Sequence, residues 1–191
     1  MPFPALFSLQ ACYDVLRAMP EIGHGIINLE GLASSADQLY MLQRGNISGL
    51  NVVITYDLRS FYEWMTGKTY LLPAPAIQPY SLLSLAGIQA GFSGATLVPN
   101  TSILLFTASL ENTSNEIDDG ESLGSLIGLI DLHQPDTIQT SCLLLMEDGQ
   151  PYRGKVESIA VLERSGNTIR AIAVTDNDLG GSEMMEIELR W

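Results

Sequence analysis

From Asn28 onward the chain alternates short apolar runs with polar turns, and the runs form a repeat. NLEGLASS (28–35), GFSGATLV (91–98) and KVESIAVL (155–162) align with Glu30, Ser93 and Glu157 in one position, 63 and 64 residues apart. Second runs follow at QLYMLQRGN (38–46), SILLFTASLE (102–111) and TIRAIAVTDND (168–178). Third runs are NVVITYDL (51–58), GSLIGLIDL (124–132) and SEMMEIEL (182–189). A fourth run occurs at AIQPYSLL (76–83) and TIQTSCLLLM (137–146), and the third unit has none. Short β-rich runs between turn signals read as strands, and units of four strands read as propeller blades. The pattern predicts an all-β fold: a partial β-propeller of about three four-stranded antiparallel blades, the last incomplete. The blades take residues 26–84, 90–147 and 153–191.

Residues 1–25 form an N-terminal segment of different character. Leu9, Cys12, Tyr13, Leu16 and Met19 fall at helical spacing, with Ser8 placed to cap and Pro20 to stop. One short helix over about 8–18 is expected to precede the blades. The segments 59–75 and 112–123 read as loop insertions at blade margins, where loops often carry function. Tyr13, Tyr40, Tyr56, Phe92 and Phe106 sit within the apolar periods and are expected in the core.

Three blades do not close a ring, because propellers use about four or more. Open blades leave strand edges unpaired. The chain is therefore expected to be the C-terminal part of a larger propeller, or to self-associate through its open edges.

Charge narrows the partners. The net charge is −13, and the nine Lys and Arg residues are scattered. A groove that tracks phosphates needs clustered cations, so nucleic acid is not an expected partner. An anionic membrane surface would repel the chain. The stretch from Thr69 to Leu110 is free of charge, but Pro73, Pro75, Pro79 and Pro99 interrupt it, so it reads as strands and turns. No basic segment precedes an apolar core at the N-terminus, and a cytoplasmic location is expected. Cys12 and Cys142 form no CxxC pair and are expected as buried, small apolar residues.

Several of these runs in order resemble the C-terminal portion of an uncharacterised bacterial β-propeller family, a domain of unknown function similar in style to phytase-like and SdiA-regulated-like propellers. The resemblance rests on NLEGLA, LYMLQRGN and NVVITYDL in the first unit, on GFSGATLVP, ILLFTAS and LGSLIGLID in the second, and on KVESIAVL and AVTDND in the third. It spans Ser8 to Leu189 and implies a five- or six-bladed propeller without an established activity. The family has Glu-Gly in its last repeat, where this chain has Glu157-Ser158. A glycine-dependent close approach is therefore in question there.

Candidate chemistry gathers where first strands begin and second strands end. That face takes Glu30, Arg44 and Asn46 from the first unit, Ser93, Ser109 and Glu111 from the second, and Lys155, Glu157, Asp176 and Asp178 from the third. First strands line the channel of a propeller, so Glu30 and Glu157 are expected at one mouth. Glu30, Arg44, Asn46, Ser93, Glu111, Lys155 and Glu157 are candidate contacts for a small polar ligand. Glu30, Glu157, Asp176 and Asp178 are candidate ligands for a divalent cation such as Ca²⁺, which takes about 6–8 oxygens. The competing reading is an internal ion-pair network, Glu30 with Arg44 and Glu157 with Lys155, that ties blades together.

Other motifs carry less. TDNDLGG (175–181) fails the EF-hand pattern and reads as an acidic turn. GFSGA (91–95) nearly matches a nucleophile elbow, but Ala95 replaces the last glycine and a strand follows. His24 and His133 have no evident route to Ser93. A phytase-like, metal-dependent hydrolase of phosphate esters or lactones is an alternative, and an interaction module built on the two insertions is another.

Overall fold

The computed structural model describes residues 7–22, 27–45, 50–112, 121–135, 138–176 and 180–191. Helix α1 (Gln10–Arg17) comes first, then a 3-10 turn at Pro20–Ile22. The first sheet is β1 (Leu29–Ser34), β2 (Gln38–Gln43), β3 (Asn51–Asp57) and β4 (Ala76–Tyr80), with helix α2 (Leu58–Met65) between β3 and β4. A small hairpin follows, β5 (Ser84–Leu85) and β6 (Ile88–Gln89). The second sheet is β7 (Gly91–Leu97), β8 (Ile103–Asn112), β9 (Glu121–Asp131) and β10 (Ile138–Leu143). The third is β11 (Lys155–Ser165), β12 (Thr168–Asp176) and β13 (Met184–Arg190). Each sheet is an antiparallel meander in chain order. The all-β expectation holds, with three blade-like sheets and a third that has three strands.

The inner strands stand side by side. β7 lies between β1 and β11. Two glycines permit this approach. A Cβ on Gly31 would stand 3.4 Å from the Gly94 carbonyl carbon, and one on Gly94 would stand 3.2 Å from the Ser158 Cα. Ser158, the residue that replaces glycine in the third unit, is exposed. The glycine is needed where an inner strand lies behind it, and among the described residues none lies behind β11 on that side.

Layering explains the apolar runs. Leu39, Met41, Val52, Ile54 and Tyr56 on one face of the first sheet pack against Cys12, Leu16, Ile22 and Phe61. Tyr40, Leu42 and Val53 on its other face pack against Phe92, Leu104 and Phe106 of the second sheet. The second sheet's opposite face, with Leu105, Ile127 and Leu129, packs against Ile159, Ile169, Ala171 and Ile187 of the third. Strands covered on both sides read as unbroken apolar runs, whereas β12 alternates because one of its faces is open.

Some expectations are corrected. The segment 59–75 is not all loop: α2 occupies its first half, with the Asp57 carboxylate accepting from the Ser60 N–H at 2.7 Å as the N-cap. Phe61 then buries against Tyr56 with ring centroids 4.9 Å apart, so the segment covers a sheet face instead of standing at a margin. Helix α1 starts at Gln10 with Leu9 at the N-cap, and Ser8 Oγ accepts only the Gln10 N–H. Of the segment 112–123, the ends belong to β8 and β9, and 113–120 lie outside the described residues. Cys12 is buried, but Cys142 is exposed because β10 is the edge strand of its sheet. The predicted aromatic core is present at Tyr40, Tyr56, Phe92 and Phe106, while Tyr13 is half-buried. No helix among the described residues is long and apolar enough to cross a membrane.

Candidate functional site

The aligned residues Glu30, Ser93 and Glu157 are all β-bulge residues. In β1 the pairing passes from Leu29–Gln43 to Gly31–Leu42, leaving Glu30 without a partner across the ladder. In β7 it passes from Phe92–Ala108 to Gly94–Thr107, skipping Ser93. In β11 it passes from Val156–Thr175 to Ser158–Val174, skipping Glu157. A bulge re-aims one side chain and steepens the local twist. The same device is thus set three times at the start of the inner strands. This is why a polar residue can stand at the head of an apolar run.

A second device repeats one strand further out. Asn51 heads β3 and is fully buried; its Oδ1 accepts from the Phe92 N–H at 3.0 Å and its Nδ2 donates to the Ala90 carbonyl at 2.9 Å. Ser125 holds the matching place in β9; its Oγ accepts from the Val156 N–H at 3.1 Å and donates to the Gly154 carbonyl at 2.8 Å. Asn51 and Ser125, matched positions of the two third strands, therefore each clamp the first strand of the next sheet. Ser93 adds a third tie, donating from Oγ to the Val156 carbonyl at 2.5 Å, with the Thr107 hydroxyl at 3.1 Å. Sequence reasoning missed Asn51 and Ser125. The signal was available, a polar residue opening an otherwise apolar third run in successive units.

These clamps set the geometry of a buried charge cluster. Arg44, just past β2, is 5% exposed and reaches over Gly91, where a Cβ would meet its Cγ at 2.6 Å. Its Nη2 donates to Glu111 and to Ser109 Oγ, the latter at 2.8 Å. Ser109 in turn donates to Glu111 at 2.9 Å. Glu30 lies 3.6 Å from the Arg44 guanidinium, and Lys155 Nζ lies 3.8 Å from Glu111. Glu111 is thus the shared partner of both cations, and its side chain is 2% exposed. Burial alone would lower the Arg44 pKa, but Glu111, with Glu30 and Glu157, raises it instead. Glu157 behaves differently. Burial pushes its carboxyl above the ordinary glutamate range, the Glu30 carboxylate adds to the rise, and Lys155 and Arg44 oppose it.

Of the predicted site residues, Glu30, Arg44, Glu111, Lys155 and Glu157 come together from three sheets. Ser93 lies beside them but is fully buried and engaged in tying β7 to β11. Asp176 is exposed and stands opposite Lys155 in the ladder. Asn46 and Asp178 lie outside the described residues, as does His24. His133 sits in the turn after β9, at the far end of the sheets from Ser93. Among the described residues no group of three or more His, Cys, Asp or Glu side chains is placed to hold a metal ion.

A model of a family of unknown function (DUF6929) matches residues 4–189. Neither the curated proteins nor the solved structures hold a significant match to the chain.

Proposed function

The chain belongs to DUF6929, a family of unknown function, and from the site itself we propose a binding protein of β-propeller type that takes a small polar ligand at the joined ends of its inner strands. The three sheets act as neighbouring blades, and Glu30 and Glu157 face the ligand. One observation carries this reading. Two half-buried carboxylates, Glu30 and Glu157, come together from different sheets, and burial with the Glu30 carboxylate raises the Glu157 carboxyl above its ordinary range, while Glu111 also draws on both nearby cations. The cluster holds three carboxylates against two cations, so it attracts positive charge. A ligand with an amine, or with hydroxyls that donate, satisfies that excess. A divalent cation is the second form of the same reading, with Glu30 and Glu157 as carboxylate ligands. Phosphate-ester hydrolysis gains little support, since a phosphoryl site needs cations that face the substrate.

The test is calorimetric titration and thermal melting with CaCl₂, MgCl₂, ethanolamine and putrescine. A binding probe at 100-fold excess over its dissociation constant stabilises by about 2.7 kcal/mol. Glu30→Gln and Glu157→Gln should each abolish that shift. The absence of a response to all four probes would defeat the proposal.

A further inference from the structure

The far ends of the first two sheets carry an open cleft of about 850 Å³. This is within the usual range of small-molecule sites, about 300–1,000 Å³. It lies at the end of β1, the start of β2 and the β7–β8 turn, across the length of the strands from the charge cluster. Its walls include Ser34, Tyr40, Leu97, Pro99, Asn100 and His133. No Asp, Glu, Lys or Arg is among the described residues that line it, in a chain of net charge −13.

Some of its hydroxyls are already committed to the walls. Thr101 Oγ1 donates to the Val98 carbonyl at 2.8 Å and accepts from the Ile103 N–H at 3.0 Å. Ser102 Oγ donates to Asp131 at 2.7 Å, and the same carboxylate oxygen accepts from the His133 N–H at 3.0 Å. Those two donors hold the Asp131 carboxyl below the usual carboxylate range. The two turns of the second sheet that wall the cleft are therefore fixed in shape.

Other polar groups are uncommitted. Tyr40 is only 6% exposed, yet its hydroxyl has no hydrogen-bond partner among the described residues. That oxygen is not one of the enclosed, unpartnered atoms, so it opens on the cleft. A phenol oxygen on a buried side chain normally finds a partner. Asn100 holds its amide at the tip of the β7–β8 turn with φ at 59°, a left-handed conformation. The Ser34 hydroxyl, the Asn100 amide and the His133 imidazole likewise engage no described side chain or backbone group by hydrogen bond.

We propose that this cleft binds a small neutral polyhydroxylated ring, a saccharide-like molecule. Tyr40, Ser34, Asn100 and His133 provide donors and acceptors for ring hydroxyls, and Leu97 and Pro99 provide an apolar wall for the ring's C–H face. A charged ligand finds no counter-charge on these walls. The Tyr40 ring offers a nucleobase no face to stack on, because it is buried in the core and shows only its hydroxyl end.

The test is saturation-transfer NMR on the full chain with glucose, N-acetylglucosamine and myo-inositol, with glucuronate and glucosamine as charged comparisons. At least one neutral ring should receive saturation and the charged ones markedly less. Tyr40→Phe keeps the ring and should weaken binding about tenfold without lowering Tm. Asn100→Gly suits the left-handed backbone and should weaken binding while the fold is retained. Glu157→Gln should leave this binding intact, which separates the cleft from the charge cluster. No transfer to any neutral ring, unchanged affinity in both cleft variants, or equal binding of the charged comparisons would each overturn the proposal.

Discussion

Replacing Arg44 with Met tests what the buried cluster contributes to stability. Methionine matches much of the stem that lies over Gly91, so little cavity is created and the loss is mainly of charge. Glu111 would then keep Lys155 at 3.8 Å as its cation, outside hydrogen-bonding distance, with its side chain 2% exposed. Removing one partner of a buried ion pair costs about 3–5 kcal/mol, because the remaining charge stays desolvated without compensation. In a chain of this length 1 kcal/mol corresponds to about 2–4 °C, so Tm should fall by roughly 6–20 °C. The assay is urea unfolding of wild type and variant, alongside scanning calorimetry. The double variant Arg44→Met/Glu111→Leu should recover most of the loss, since an apolar pair of similar volume restores a consistent interior. A single variant within about 1 kcal/mol of wild type would refute the reasoning, as would a double variant whose loss equals the sum of the two singles.

The raised Glu157 pKa makes stability depend on pH in a definite direction. The folded state holds this proton more tightly than the unfolded one, so wild type loses stability as pH rises from the ordinary glutamate value through the raised one. Glu157→Gln should therefore match wild type in acid and exceed it at neutral pH in urea titrations; a gap that stays flat with pH would contradict the assignment. Gly94→Ala places a methyl 2.8 Å from Thr107 Oγ1 and 3.0 Å from the Glu157 carbonyl, which should cost about 1–3 kcal/mol by forcing β7 from β11. Ser158→Ala, at the equivalent but exposed position, should stay within about 0.5 kcal/mol, and equal costs in the two would contradict the inner-strand packing. Native protein treated with a thiol-reactive dye should label Cys142 and spare Cys12, which is buried with its Sγ 3.4 Å from the Tyr56 hydroxyl. Rapid labelling of both thiols would mean that α1 does not stay packed on the first sheet.

Glu30, Ser93 and Glu157 were recognisable as one position because a repeated unit repeats its local conformation. Strand periodicity, turn residues and unit length are all local in the chain, so NLEGLASS, GFSGATLV and KVESIAVL already contained the three sheets and the face that joins their ends. The residues of the charge cluster were legible for the same reason. Their pairing was legible only in part: the Glu30–Arg44 pair is present, but Glu111 was not assigned a cation. Glu111 serves Arg44 and Lys155 at once, whereas the local pattern had matched Lys155 with Glu157; only the packing of three sheets determines which carboxylate reaches which cation. The helix in 58–65 was hidden because Phe61 and Trp64 lie in a stretch that looks like a loop until a sheet face is present to receive them. Asn51 and Ser125 looked like ordinary polar strand residues, since their partners Phe92 and Val156 belong to the following unit. The cleft around Tyr40 had no signature in the chain, because its walls come from turns of two different sheets. By itself the sequence determined the strands, their grouping into units and the position that bulges. The tertiary structure decided which groups became buried partners, because a hydrogen bond or ion pair depends on ångström-scale distances that sequence spacing does not encode.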